Sequence, residues 1–106
     1  MSSGILGQAA PAATTLTDIY TVPLLTVATM RVIVTNRSLN SALFSVAVSK
    51  DGDPIADEHF IAFDKRIEGS DTGSTIGFAV SSGDIVRVES NTGNLSFTAT
   101  GEERAE

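Results

Sequence analysis

The sequence predicts an all-β fold, an antiparallel β-sandwich of about seven or eight strands, immunoglobulin-like or jelly-roll-like, with an extended N-terminal arm. Three observations predict it. Apolar and polar residues alternate with a period of two in short runs. Clusters of Gly, Pro, Asn, Asp and Ser separate those runs at spacings of roughly eight to twelve residues, and no stretch sustains a helical period. Hydrophobic residues make up 42% of the 106 residues but aromatics only 6%, so the core is to be built from Val, Ile, Leu and Ala with a few Phe. A chain of this length fits one domain, because halving it leaves neither part enough interior.

The centre of the pattern is Met30 to Val48. Val32, Ile33 and Val34 form a β-branched run, residues 36–41 supply turn formers, and Phe44, Val46 and Val48 alternate with Ser45, Ala47 and Ser49. This reads as two antiparallel strands folded back on one another. Before it, residues 1–13 read as an arm. They carry no charge, Gly4, Gly7 and Pro11 interrupt any helix, and an Ile5-Leu6 pair suits packing on the same domain or on a neighbour. Residues 14–101 read as the sandwich. Thr15 to Tyr20 is extended with neither face cleanly apolar, as suits an edge strand, and Val22-Pro23 ends the ladder and marks a corner between sheets.

After Val48, Ser49-Lys50-Asp51-Gly52-Asp53-Pro54 is a turn or crossover loop. His59 to Phe63 is apolar on both faces and reads as a strand buried on both sides or lying in an interface. Residues 64–73 read as a loop. Ile76, Phe78 and Val80 give another strand, Ser81-Ser82-Gly83-Asp84 a tight connection, and Val86 and Val88 point inward. Asn91-Thr92-Gly93-Asn94 reads as the turn of a last hairpin, leading to Leu95, Phe97 and Ala99. Residues 102–106 read as a solvated acidic tail.

Charge and composition exclude several function classes. Residues 1–49 hold Asp18, Arg31 and Arg37, a sum of +1, which leaves −7 of the net −6 to residues 50–106. Phosphate contacts need clustered cations, and Lys65-Arg66 is flanked by Asp64 and Glu68, so no nucleic-acid partner is expected. With no cysteine there is neither disulfide nor thiolate metal site. The N-terminus lacks the basic start of a secretory signal and no apolar run approaches a membrane span, so synthesis in a cytoplasm and no membrane partner are expected.

Candidate chemical sites have ordinary explanations. Asp51, Asp53, Asp57 and Glu58 suggest a Ca²⁺ loop, but Pro54 interrupts the EF-hand spacing and its sixth-position glycine is missing, so a polar loop is favoured. His59 is the single histidine, and only Asp57 shares its face on a strand. No nucleophile elbow or phosphate loop is present, and no catalytic, cofactor or metal residues are assigned. Asn36-Arg37-Ser38 and Asn94-Leu95-Ser96 match the glycosylation pattern by chance.

The stretch Ile5-Leu6-Gly7-Gln8-Ala9-Ala10-Pro11-Ala12-Ala13-Thr14-Thr15-Leu16-Thr17-Asp18-Ile19-Tyr20-Thr21-Val22-Pro23 resembles the opening of a group of small virion-associated proteins of tailed bacteriophages. The likeness continues through Val32-Ile33-Val34-Thr35-Asn36-Arg37, Val46-Ala47-Val48-Ser49, Glu58 to Asp64 and Leu95-Ser96-Phe97, covering most of the chain. Leu24-Leu25 departs from it where a small or polar turn is more usual. The resemblance implies a β-rich, non-enzymatic structural component of the virion, decorating or joining head, neck or tail, made in the bacterial host cytoplasm. The partners expected are further copies in a symmetric homo-oligomer and another virion protein such as a capsid or tail subunit, on which residues 1–23 would dock. Ile5, Leu6, Pro11, Phe60, Ile61 and Phe63 are the candidate interface residues. The alternative is a carbohydrate- or receptor-binding module of a phage fibre, disfavoured because sugar sites use exposed aromatic faces and this chain has no Trp and one Tyr.

Overall fold

The computed structural model describes residues 3–106 apart from Ile55, and Asp57 by its backbone alone. Among the described residues, nine strands form two antiparallel sheets: β1 (Ser3–Ala9), β2 (Thr17–Thr21), β3 (Thr26–Asn36), β4 (Ala42–Ser49), β5 (Phe60–Ile67), β6 (Thr72–Ser74), β7 (Phe78–Ser81), β8 (Ile85–Ser90) and β9 (Leu95–Ala105). One sheet has the order β1-β9-β3, with β6 and β7 in succession along the far side of β3; the other has the order β2-β8-β4-β5. The predicted β-sandwich is therefore the fold, with more strands than the seven or eight expected.

Alternation explains the layers. On β3 every even-numbered residue from Thr26 to Asn36 is buried, and on β9 Leu95, Phe97 and Ala99 are fully enclosed. These meet Phe44 and Val46 of β4 and Val86 and Val88 of β8, also buried. The Phe44 and Phe97 rings contact each other edge to face across the sheets at 6.3 Å. Eleven cross-strand pairs, from Thr26↔Ala105 to Asn36↔Leu95, join β3 to β9 and make this pair the spine of its sheet.

The connections differ from those expected. Among the described strands, β4 and β5 alone are hydrogen-bonded neighbours joined directly in sequence; six of the eight connections carry the chain to the opposite sheet. The two strands read as a hairpin over Met30–Val48 are β3 and β4, in different sheets, and the expected last hairpin is β8 and β9, also in different sheets. Their inward side chains face one another across the core instead of pairing edge to edge. The expected corner at Val22-Pro23 does join the sheets. It is clamped by Val22 N–H donating to the Asp84 carbonyl (2.9 Å) and Gly83 N–H donating to the Val22 carbonyl (3.1 Å).

Three boundaries move as well. The arm expected at residues 1–13 is, over Ser3–Ala9, an edge strand antiparallel to β9. The tail expected at 102–106 is the end of β9, paired with β3 as far as Ala105. The loop expected at 64–73 contains the end of β5 and the short β6. Each is a stretch where exposed charged or small residues sit on a hydrogen-bonded edge, so alternation is hidden while the backbone still pairs.

Where β1 passes β2 the sandwich nearly closes: a side chain at Gly7 would run into the Ile19 carbonyl, so only glycine permits this approach. Further along the same side, the Tyr20 hydroxyl donates to a carboxylate oxygen of Glu103 at 2.5 Å, tying β2 to β9 across the layers. Burial, then the bond to Glu103, pushes the Tyr20 hydroxyl well above its ordinary pKa. That raised value means its stabilising contribution is intact below about pH 10, the usual tyrosine value, and is lost as pH rises past it. Tyr20→Phe is expected to cost about 1 kcal/mol at neutral pH and to flatten the alkaline decline, measured by chemical denaturation from pH 7 to 11.

Candidate interface

The candidate residues lie at two separate edges of the sandwich. Ile5 and Leu6 are on β1, the edge of one sheet; Phe60, Ile61 and Phe63 are on β5, the edge of the other. Ile5 is 62% exposed, whereas Leu6 packs against the core and Pro11 is buried beyond the end of β1. The stretch His59–Phe63, read as buried on both sides or in an interface, is an outer strand: Phe63 is 65% exposed, Ile61 is exposed and Ala62 alone packs inward against the core. Sequence therefore grouped residues that the fold sorts into outward contacts (Ile5, Ile61, Phe63), a partly covered ring (Phe60) and internal packing (Leu6, Pro11).

The β5 edge is shaped by irregular pairing. Its register against β4 shifts between Phe44 and Val46 and again between Val46 and Ala47, placing extra residues on β5. Asp64, at φ +46°, lies at the first of these shifts, and its N–H donates to Ser45 Oγ at 3.0 Å. The bulges bring Phe60 and Phe63, three apart in sequence, into an edge-to-face contact at 4.9 Å. A regular strand puts such residues on opposite faces. The result is a ring pair, Phe60 partly covered and Phe63 exposed, on the strand that also exposes Ile61. Beyond it, Arg66 Nε donates to Glu68 Oε1 at 2.7 Å on the open surface, an ion pair that holds the Glu68 carboxyl below its ordinary range.

His59 lies in a short 3-10 turn (Asp57–His59), not on a strand, and its Nδ1 accepts the Ala56 N–H at 3.0 Å, so it closes that turn. Asp51 lies within another 3-10 turn (Lys50–Gly52) and Asp53 directly follows it; the turn is anchored by Asp51 N–H donating to the buried Asp84 carboxylate at 3.1 Å. Among the described residues no three His, Asp or Glu side chains are grouped as a metal site. A shallow cavity of about 130 Å³ lies on the outer face of the second sheet, between Thr14, Ser45, Asp64, Glu89 and Ser90.

The Leu24-Leu25 departure noted in the sequence stands out on the surface. Leu24 and Leu25, in the corner between β2 and β3, are 83% and 67% exposed, and Leu25 has φ +58°. The signal was available: two leucines stood where a turn normally places small or polar residues.

The architecture and its edges thus define an antiparallel β-sandwich with exposed apolar side chains on two outer strands. No protein-family model, curated protein or solved structure matches the chain.

Proposed function

We propose that the protein is a non-enzymatic structural subunit of a tailed-phage virion, joining or decorating head, neck or tail as a symmetric oligomer. The observation that carries this reading is the pairing of unfilled strand edges with outward apolar side chains: Ile5 on β1, Ile61 and Phe63 on β5. A large apolar side chain left in water forgoes up to about 1.5–3 kcal/mol that full burial would return. Repeated copies on a particle supply that burial. The sequence likeness to phage virion components points the same way, and the acidic surface suits contact with basic patches of a neighbour.

The test is the content of purified particles together with the solution mass of the full chain. The protein is expected in washed virions at a fixed copy number, and the isolated chain is expected to self-associate by light scattering. Phe63→Asp is expected to shift that mass towards the monomer while costing no more than about 0.5–1.5 kcal/mol of stability, the worth of its edge-to-face contact with Phe60, because the ring is outside the core. Absence from washed virions would overturn the virion reading, and a Phe63→Asp mass equal to wild type would remove β5 from the interface.

A further inference from the structure

We propose that β1 is an exchangeable strand: in the assembled protein, residues 3–11 of one copy leave their own β9 and occupy the same edge of β9 on a second copy. This deepens the reading above and rests on its self-association, not on where the assembly is used. What fills the β9 edge is visible in the fold itself. Ser3–Ala9 pair antiparallel with it, Gln8 Nε2 donates to Thr98 Oγ1 at 3.3 Å, Thr100 Oγ1 donates to the Gly4 carbonyl at 3.0 Å, and Leu6 and Ala9 pack against the core. Without that strand, β9 would present an unpaired edge beside an uncovered part of the core. Only the copy that supplies the strand is open to change, because the same residues from a neighbour make the same contacts.

Two features favour the neighbour. First, β1 is weakly held: none of its side chains is fully buried, two of its residues are glycine, and it carries no charged group whose partner would be lost. Segments with so little buried surface open at a fraction of the global stability. Second, the hinge is short and strained. Between buried Pro11 and the start of β2, residues 12–16 are all exposed, and Thr14 turns the chain at φ +57°. Of the described non-glycine residues with positive φ, Thr14 alone is β-branched, the side-chain class that fits this region least. Its N–H donates to the Ser90 carbonyl at 2.8 Å, and Thr15 Oγ1 donates to the Ala13 carbonyl at 3.2 Å, so a strained turn is what returns β1 to its own chain. Short hinges under strain promote exchange, because the open form extends them. Extended, these five residues span about 17 Å, enough to pass into an abutting copy.

Disulfide trapping in the full chain tests this, since the chain has no cysteine of its own. Gln8→Cys/Thr98→Cys places two thiols on one cross-strand pair, so the bond forms within a chain when β1 stays on its own β9 and between chains when it is exchanged. After oxidation of the assembled protein, covalent dimers or longer ladders are expected on a non-reducing denaturing gel, and neither single variant is expected to give them. Thr14→Gly in the same background relieves the hinge and is expected to lower the interchain fraction about tenfold or more. Bonds confined to single chains, in protein that light scattering shows to be oligomeric, would overturn the exchange and leave the oligomer reading standing. Single variants that cross-link equally well, or a Thr14→Gly fraction equal to that of its parent, would overturn it too. Wild-type chain that is monomeric at every concentration would instead overturn the self-association, and the exchange with it.

Discussion

Phe97→Ala is expected to destabilise the domain by about 3–5 kcal/mol, measured by urea unfolding of the purified chain. Phe97 is fully buried on the β3–β9 spine and its ring meets Phe44 from the opposite sheet. Removing it takes away one of very few aromatic volumes from a core otherwise made mainly of Val, Ile, Leu, Ala and Met, and strands on either side are hydrogen-bonded to their neighbours and cannot close the gap. With typical domain stability of about 5–15 kcal/mol, the loss is a large share of the total. Phe44→Ala is expected to be similar, and the double variant to lose less than the sum by about 0.5–1.5 kcal/mol, the coupling of an edge-to-face pair. A loss below about 1 kcal/mol for Phe97→Ala would show that the two sheets do not share this core.

Asn36→Ala is expected to cost about 3 kcal/mol, a large penalty for a side chain with no apolar surface to lose. Asn36 occupies an inward position at the end of β3 and is buried. Its Nδ2 donates to the carbonyls of Asn40 (2.8 Å), Glu68 (3.2 Å) and Ile67 (3.4 Å), while its Oδ1 accepts from the N–H (3.0 Å) and Oγ (2.9 Å) of Ser38. One side chain thus joins the crossing from β3 to β4 with the chain leaving β5. Alanine removes all five bonds at once from a position that is itself almost wholly buried. Asn36→Asp keeps the acceptor but sets a carboxylate against three carbonyl oxygens, and is expected to be at least as damaging near neutral pH. Denaturant unfolding of both variants checks the prediction; a loss under about 1 kcal/mol would mean water replaces the knot freely. The same burial removes Asn36 as a glycan acceptor, in agreement with its reading as a chance match.

Much of the fold was legible because the core positions obey a period of two. Alternation marks Phe44 and Val46, Val86 and Val88, and Leu95, Phe97 and Ala99, a β-branched run marks Val32 and Val34, and all of these are buried. Where each strand goes next was not legible. A short polar connection such as Asn91–Asn94 serves equally to fold a strand back beside itself or to carry it across to the facing sheet, since both need the same turn chemistry. Only partners distant in sequence, such as β9 for β3, decide between them. Asn36 shows the same limit from the other side: it sits among turn formers in the sequence, and nothing local reveals that its amide faces inward.

The interface was legible in part. An apolar strand at His59–Phe63 was visible, but its exposure depends on β5 having β4 as a neighbour on one side only and on the bulges that bring Phe60 and Phe63 together. Leu6 and Ile5 are adjacent and chemically alike, yet β1 turns one inward and the other out. The corner leucines are a local anomaly in the sequence, but that both are exposed on a turn bonded to Asp84 and Glu106 depends on residues distant in the chain.

Cryo-electron microscopy of the intact particle tests the central claim most directly. It is expected to show symmetry-related copies of this nine-stranded sandwich, with Phe63 and Ile61 covered by an adjoining subunit. A particle map with no density for the sandwich, or one with β1 and β5 both facing open solvent, would contradict it.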